Sequence, residues 1–400
     1  MDIRKEATMS AHRSTGLWIV GFLGVAAVAG GLVFVAGSKG SRTPKAEITF
    51  DESTPLSALT QPLRESDARA LAALFQKSII KPDAKPTLMT DAEGAEWVEA
   101  IKALRTGFPK FGSYGRTAAL STLGRVFQRF VVEDSPSCWS EMLAPAHDLL
   151  NSGLADENLD VRVTSLMEIG RLWSWVPGSK MLPVEEYNVS IWKDGFSGPV
   201  VRRLADREPK ARGTAVACLG YNPVTAVATE AIAYLDDPAS SDVRKQVMVS
   251  FASRRSILSE DAILKMMYDK DPSIPPVAEL ILKTRGLTQE QISLGSMIFH
   301  PKPEIRASLI PLLKERSDVD PTTWLIQLSR DIDESVRMSA VDALAARQSP
   351  EIGKRLAEMA TTDKSAEVRR AASKHILPGS EKTAALPPLP GSSSLNPKAN

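Results

Sequence analysis

Few residues of this chain have the types and spacing that catalysis or metal binding requires. The two cysteines, Cys138 and Cys218, lie far apart and form no CxxC pair, so neither a cysteine zinc site nor a disulfide framework is indicated. Cys138 and His147 would suit a nucleophile and its base, but residues nine positions apart on a helix need not face each other, and no carboxylate is placed to orient the histidine. The sequence contains no Gly-rich phosphate loop of the GxxxxGK[ST] type and no HExxH or GxSxG motif. We therefore expect a protein that is not an enzyme, with no catalytic residue, no metal and no cofactor.

Aromatic residues are concentrated in one segment, between Arg171 and Pro199, which also contains several prolines and glycines. Aromatic side chains on an exposed loop can anchor a partner protein, because each fills a pocket and buries a large area. We take four residues of an insertion at 175–199 as candidate partner-binding residues. They are Trp175, Tyr187, Trp192 and Phe196. The alternative is that the aromatic side chains pack beneath the loop as a small cluster of their own.

The charges of the chain are balanced. Lys and Arg number 49 and Asp and Glu number 48, which gives a formal net charge of +1. No global positive field therefore exists to attract nucleic acid. The basic pairs Arg202-Arg203, Arg254-Arg255 and Arg369-Arg370 form no stripe and have no aromatics between them, so we interpret them as solvated helix faces. No nucleic-acid partner is expected.

A different set of arginines recurs at regular intervals. Each copy consists of an acidic residue, a β-branched apolar residue and then an arginine. The arginines lie at positions 244, 306, 337 and 369, so the intervals between them are 62, 31 and 32 residues, and 62 is twice 31. The missing copy falls near 275–276, where proline stands in place of arginine and is tolerated in the first turn of a helix. Two upstream copies end at Arg162 and Arg212, and their longer intervals indicate inserted loops.

Each arginine opens a helix, and another helical segment precedes each copy, so the repeating unit is helix, short turn, helix in about 31 residues. The acidic residue before the second helix suits an N-terminus, because it meets exposed N–H groups and the positive end of the helix dipole. A two-helix unit cannot bury its apolar face alone. Successive units must therefore stack against one another.

This signature, Asp/Glu-x-x-Val-Arg followed by Ala-x-x-x-Leu, resembles the HEAT repeats, specifically the short variety also seen in bilin-lyase-like proteins. The resemblance covers roughly residues 115–377 and implies an all-α fold, an α-solenoid of stacked two-helix repeats. It also implies that the acidic residues and the arginines form a structural ladder along the stack, interrupted at Pro276. The ladder residues would be Arg162, Arg212, Arg244, Arg306, Arg337 and Arg369. No lyase activity is carried over, because nothing in the sequence marks a bilin site.

Residues Leu17 to Ala36 form a run of 20 residues without a charge. A helix of this length spans about 30 Å, the thickness of the hydrocarbon core of a bilayer. We predict a single transmembrane helix at 17–37 that acts as a signal anchor; the alternative is a cleaved signal peptide, which usually has a shorter apolar region. Three basic residues flank each side, so charge does not orient it, and we expect residues 1–16 in the cytoplasm and the soluble domain outside it. Ala26 and Gly30 fit a small-xxx-small face and suggest weak homodimerisation.

The predicted organisation has six parts. They are an N-terminal stretch at 1–16, the transmembrane helix at 17–37, a linker at 38–62, an N-terminal helical cap at 63–113, the HEAT-like array at 114–378 with the aromatic insertion at 175–199, and a disordered Pro/Ser-rich tail at 379–400.

The predicted function is that of a membrane-anchored, non-catalytic scaffold that binds another protein, of unknown identity, through the array. Two alternatives stay open. One is an enzyme or enzyme-assembly factor of the bilin-lyase-like type, which a cleft with several polar groups would favour. The other is a ligand or lipid carrier, which a large apolar concave face would favour.

Overall fold

The structure is a computed structural model, and it describes residues 49–51, 53–79, 90–133, 139–175, 186–314, 320–347 and 349–376. The chain divides into two units, Met1–Thr49 and Phe50–Asn400. The predictions for residues 1–16, for the transmembrane helix at 17–37, for most of the linker and for the tail at 379–400 lie outside the described residues. Within the described residues, no helix has the length and apolar character that crossing a membrane requires.

The described part of Phe50–Asn400 consists of helices and their connections, with no strand among the described residues, so the all-α prediction is confirmed. The α-helices are α1 (Leu56–Arg64), α2 (Ala68–Ser78), α3 (Asp91–Gly107), α4 (Ser113–Glu133), α5 (Trp139–Leu154), α6 (Leu159–Trp175), α7 (Glu186–Arg203), α8 (Pro209–Gly220), α9 (Thr225–Thr229), α10 (Ser241–Ser250), α11 (Glu260–Met266), α12 (Ile274–Thr284), α13 (Gln289–Met297), α14 (Pro303–Lys314), α15 (Pro321–Leu328), α16 (Glu334–Ala345), α17 (Pro350–Thr362) and α18 (Ala366–Ser373). Two 3-10 helices, Phe108–Lys110 and Glu230–Asp236, extend α3 and α9.

Odd-numbered and even-numbered helices form two layers, which we call the A layer and the B layer. Neighbouring B helices pack side by side from α2 through α12 and again from α14 through α18. The A helices α1, α3, α5 and α7 pack in the same way, as do α11 and α13. Each repeat thus supplies one helix to each layer, as the 31-residue unit predicts.

Helix starts follow from capping side chains in the turns. Ser240 Oγ accepts a hydrogen bond from the N–H of Val243 at the start of α10, and Thr288 and Gln291 form a reciprocal capping box at the start of α13. The prediction of a linker up to residue 62 is wrong at its C-terminal end, because α1 begins at Leu56. Its apolar residues bury one face, which tertiary packing stabilises as a helix.

The predicted insertion at 175–199 is also wrong in part. Residues 186–203 form α7, which is the A helix of its repeat and packs against α5 and α8. The long interval between Arg162 and Arg212 therefore reflects long helices, of 17 residues in α6 and 18 in α7, as well as the connection at 176–185. Pro199 lies inside α7, where burial of Phe196 and Val200 compensates for its poor helix propensity.

The B helices α4, α6, α8 and α10 approach closely because glycine occupies one repeated position. Each of these glycines lies eight residues after an arginine at the helix start and faces a side chain of the next B helix. The facing pairs are Gly124 with Glu168, Gly170 with Cys218, and Gly220 with Ser250. A Cβ atom at Gly124 would lie 1.8 Å from Oε2 of Glu168, so the carboxyl group fits only because the side chain is absent.

The buried apolar residues form two separate clusters. The first extends from Leu56 to Ile292 and the second from Leu309 to Ala372. The division falls at α13, which contributes Ile292 to the first cluster and packs the half-buried Met297 against the second. The B layer is interrupted at the same place, between α12 and α14, which do not pack side by side as the other B-layer neighbours do.

Candidate functional site

The repeated arginines lie in the first turn of the B helices, and those with an aspartate partner link the A–B turn that precedes their helix to the next A–B turn. Arg337 shows the geometry. Its Nε and Nη2 donate to the two carboxylate oxygens of Asp363, in the next turn, at 2.9 and 3.0 Å. Its Nη1 donates to the carbonyl oxygens of Asp331 and Ile332, in its own turn, at 3.0 Å each. A planar guanidinium matches a carboxylate in this two-bonded form, which adds geometric specificity to the attraction.

The same paired geometry recurs along the array. The described pairs are Arg116–Asp156, Arg162–Asp206, Arg212–Asp237, Arg244–Asp269, Arg306–Asp331 and Arg337–Asp363. From Arg212 onward the two partners are 25 or 26 residues apart. The sixth predicted member, Arg369, donates to the carbonyl oxygen of Asp363 in its own turn, and no carboxylate pairs with it among the described residues.

Each ladder aspartate also fixes its own turn. Asp237 Oδ1 accepts hydrogen bonds from the N–H groups of Ala239 and Ser240, at 2.9 and 2.8 Å. Burial by itself raises the pKa of the Asp237 carboxyl group. The hydrogen bonds from Arg212, Ala239 and Ser240 and the charge of Arg212 outweigh burial, so the net pKa lies below its usual value. The carboxylate is therefore held ionised, and its charge pairs with the Arg212 guanidinium.

The ladder is broken once, between α12 and α14. Ile274 is the buried residue that precedes the ladder position, so the proline that replaces arginine is Pro275 and not Pro276. His300 stands where the partner aspartate would be, six residues before Arg306. Its Nδ1 accepts the N–H of Lys302 at 3.0 Å, which reproduces the turn-fixing bond of the aspartates. Both members of this pair have thus been replaced together.

A second set of arginines caps the other end of the B helices. Arg254 donates to the carbonyl oxygens of Gly220 and Asn222 at the end of α8, at 3.2 and 3.0 Å. Arg285, 31 residues later, donates to the carbonyl oxygens of Phe251, Ala252 and Leu258 beyond the end of α10. The interpretation of Arg254 as part of a solvated helix face is therefore wrong. The acceptors of Arg254 are backbone carbonyl oxygens, which no particular residue type marks in the sequence. The 31-residue interval between Arg254 and Arg285 was the one signal that could have indicated this role.

The four candidate aromatic residues are not brought together on a described surface. Trp175 is the last residue of α6, and Tyr187 and Trp192 lie in α7, with their side chains outside the described atoms. Phe196 is fully buried, with its ring centroid 4.8 Å from that of His147 in α5. The assignment of Phe196 to a partner-binding surface is wrong, because the face of α7 that carries it turns toward α5.

Of the residues considered for catalysis, the structure describes His147 and Cys218. Cys138 lies outside the described residues, and His147 Nε2 lies 3.3 Å from the carbonyl oxygen of Gly195. Complete burial raises the pKa of the Cys218 thiol well above its usual value, so this thiol is unreactive in the folded chain. No group of three His, Cys, Asp or Glu side chains suited to a metal ion occurs within the described ranges.

A row of exposed apolar residues crosses the outer face of the B layer, and we call it the apolar stripe. It consists of Val249 on α10, Leu280 on α12, and Pro311 and Leu312 on α14. The exposed fractions are 58% for Val249, 63% for Leu280 and 41% for Leu312. Val249, Leu280 and Pro311 each lie five residues after the ladder position, at 244, 275 and 306, so they share one register on three successive helices. On α16 the same register position is Asp342, which ends the stripe.

Comparison with known proteins agrees with this architecture. Residues 293–375 match the family model described as HEAT repeats. This match identifies residues 293–375 as HEAT-like repeats; the comparisons do not address the bilin-lyase-like variety. No curated protein matches the chain. A crystal structure described as that of an engineered protein is 14% identical, covers 82% of this chain and 91% of its own, and has a TM-score of 0.31.

Proposed function

We propose that the chain is a non-catalytic scaffold that binds another protein on the outer face of the B layer, held at a membrane by residues 17–37. The HEAT-like array supports the first part, because stacked repeats offer an extended surface. The chemistry of the described residues agrees with it, since the charged groups of the turns are occupied by structural pairs. The membrane attachment is supported by the uncharged run from Leu17 to Ala36.

The apolar stripe is the observation that carries the proposal. A fold of this kind can bury its apolar residues between layers, and at other positions of α10, α12 and α14 it does so, as with Val247, Leu282 and Leu309. Val249 and Leu280 instead remain exposed at one register on α10 and α12, and Leu312, next to the register position Pro311, remains exposed on α14. Contiguous exposed apolar residues of this kind mark interaction surfaces. A partner that covers the stripe would present apolar side chains about 8–10 Å apart to α10 and α12, which pack side by side, and a further apolar contact to Leu312 on α14.

Site-specific photocrosslinking tests this surface in cells that express the full chain. A photoreactive phenylalanine analogue replaces Val249, Leu280 or Leu312 in turn, and Tyr114, which is 93% exposed on α4, serves as the control position. We expect the three stripe positions to yield the same adduct and Tyr114 to yield none. The same adduct from all four positions, or none from the stripe, would contradict the proposal.

A pair of substitutions at Leu280 separates binding from folding. Leu280→Asn should abolish the adduct formed from position 312, whereas Leu280→Met should preserve it, because methionine keeps the apolar area. Neither change should alter helix content by circular dichroism, since the Leu280 side chain is mostly exposed.

Membrane attachment is tested separately. The full chain should remain in the membrane pellet after alkaline carbonate extraction, and deletion of residues 17–37 should release it. We place the array on the extracytoplasmic side, so external protease should cleave it in spheroplasts or intact cells. Full extraction of the intact chain would refute attachment, and protection from protease would refute the orientation.

A further inference from the structure

The broken ladder position removes the clamp between α12 and α14. Pro275 has neither a backbone N–H nor a side-chain donor, so nothing at this position can reach the next turn as Arg244 and Arg306 do. The next turn offers His300, whose Nδ1 is already engaged by the N–H of Lys302. The charge-assisted pair found at the other turns from Arg212 to Asp363 is therefore missing at this one.

The apolar core is divided at the same place. Buried residues of the first cluster end at Ile292 in α13, and those of the second begin at Leu309 in α14. The B layer, which is continuous on either side, is not packed side by side between α12 and α14. The loss of the clamp thus coincides with the loss of shared burial, which is the main stabilising contribution between stacked repeats.

The contacts that remain assign α13 to the first cluster and leave a narrow connection to the second. Gly295 lies against Leu264 of α11, and a Cβ atom there would be 3.0 Å from Leu264 Cδ1. The Tyr268 and His300 rings meet edge to face, with centroids 4.9 Å apart. Toward the second cluster, the half-buried Leu294, Met297 and Ile298 make apolar contact, and an exposed hydrogen bond of 3.3 Å joins Gln327 to Asp261.

From these observations we propose that the array is two rigid bodies, residues 56–300 and 303–373, that bend relative to each other at the turn after α13. Within each body, clamped turns and a continuous core resist bending. Between the bodies, the connections are a few half-buried side chains, the exposed hydrogen bond from Gln327 to Asp261, and the hydrogen bond of 2.7 Å from Arg306 to the carbonyl oxygen of His300 across the turn itself. Connections of this limited kind open at low free-energy cost.

Bending acts on the apolar stripe, because the stripe crosses the break. Val249 and Leu280 belong to the first body, and Pro311 and Leu312 belong to the second. The separation of Leu280 and Leu312 therefore changes as the bodies bend, and a partner that contacts both would fix it. This consequence rests on the proposed function, whereas the bending itself does not.

Electron–electron distance measurements on spin-labelled full-length chain test the bending. Exposed acidic residues are replaced by cysteine in a Cys138→Ser background, with Cys218 left in place because it is buried. The pair Asp242 and Asp342 spans the break; Asp160 and Asp242 lie within the first body, and Glu304 and Glu367 within the second. We expect the distance distribution of the spanning pair to be about twofold wider than those of the two pairs within a body. Equal widths would overturn the proposal.

Two matched double variants connect the width to the clamp. Pro275→Arg with His300→Asp restores the missing pair at the 25-residue separation of its neighbours and should narrow the spanning distribution toward the others. Arg337→Gln with Asp363→Asn removes an intact pair and should widen the distribution between positions 304 and 367. If the restored pair does not fold, the second variant still decides. An unchanged width there would show that the clamp does not set rigidity and would refute the proposal.

Discussion

Removal of one ladder arginine should be far more damaging than removal of the whole pair. Arg212→Met deletes two hydrogen bonds to Asp237, of 2.8 and 3.2 Å, and two to the carbonyl oxygens of Asp206 and Arg207, of 2.9 and 3.2 Å. It also leaves the buried Asp237 carboxylate without its counter-charge. Loss of one partner of a buried ion pair costs about 3–5 kcal/mol, most of it from the stranded charge.

The double variant Arg212→Met with Asp237→Asn should cost much less. The asparagine oxygen can still accept the N–H groups of Ala239 and Ser240, which Asp237 now fixes. No buried charge is left unpaired, so we expect a loss of about 1–2 kcal/mol and a coupling free energy of about 2–3 kcal/mol between the two sites. The native chain has the same arrangement at Pro275 and His300, where neither an arginine nor a carboxylate is present.

Urea unfolding of the full-length chain, followed by circular dichroism, measures these costs. Arg255→Met is the matched surface control, because the Arg255 side chain is 60% exposed and its pair with Glu260 should contribute less than about 0.5 kcal/mol. The reasoning is refuted if the double variant is at least as unstable as Arg212→Met. An equal cost for Arg255→Met and Arg212→Met would refute it as well.

The pH dependence has a definite sign. Although burial opposes it, the hydrogen bonds and charge of Arg212 keep the pKa of Asp237 lower in the folded than in the unfolded chain. The pair therefore stabilises the fold fully above the unfolded pKa, near 3.8, and this contribution is lost as pH falls through the folded pKa. Acid unfolding below about pH 4 should be less steep in the double variant than in the native chain.

Three further predictions concern single buried positions. Burial raises the pKa of Glu168 to about 7, although the charge of Arg171 opposes this shift. The free energy of unfolding of the native chain should therefore fall by up to about 3 kcal/mol as pH rises from 4.5 to 7. Glu168→Gln should remove this pH dependence, whereas Glu358→Gln, at an exposed site, should leave it in place. Gly124→Ala should lower the melting temperature, because its Cβ atom would collide with Glu168. Gly353→Ala is the control, since a Cβ atom there meets nothing within 4 Å in an exposed part of α17. This control should raise the free energy of unfolding by about 0.5–1 kcal/mol. Cys218 should react with a thiol reagent only as fast as the chain unfolds, since burial raises its pKa; immediate reaction in the native state would contradict its burial.

The sequence predicts the repeat architecture because an arginine recurs at one position of each unit, so the interval is visible without a structure. The aspartate partners, such as Asp363 for Arg337, are not the acidic residues that directly precede the arginines, and the sequence did not identify them. The capping role of Arg254 and Arg285 escaped prediction because their partners are carbonyl oxygens, which every residue has. Local composition misled the interpretation of 186–199, where glycine, proline and aromatics favour a loop but burial of Phe196 against α5 stabilises a helix.

The apolar stripe could not be predicted because exposure depends on which helix faces are covered by neighbours. On α10 the apolar residues Val247, Met248 and Val249 are consecutive in sequence, yet two are buried and one is not. The hydrophobic periodicity of a single helix locates the buried face only approximately, so an apolar residue at the edge of that face is predicted to be buried. The division of the core at α13 was not predicted for a similar reason. It depends on packing between repeats, and each helix near the division is amphipathic by itself, so its sequence gives no sign of the break.

In this array, the residues that hold the helices together differ from the residues that face outward. This separation has a consequence for binding specificity. The ladder and the core fix the positions of the B helices through residues at the helix start, except in α12, and along the buried face. The register position five residues after the ladder takes part in neither, so it can change from Leu280 through Pro311 to Asp342 without disturbing the stack. In an array of this kind, the chemistry of the outer face is set one helix at a time, and under the proposed function the order of side chains along that register would select the partner. Exchange of Leu280 and Asp342 should therefore keep the fold and abolish binding, although the composition of the surface is unchanged.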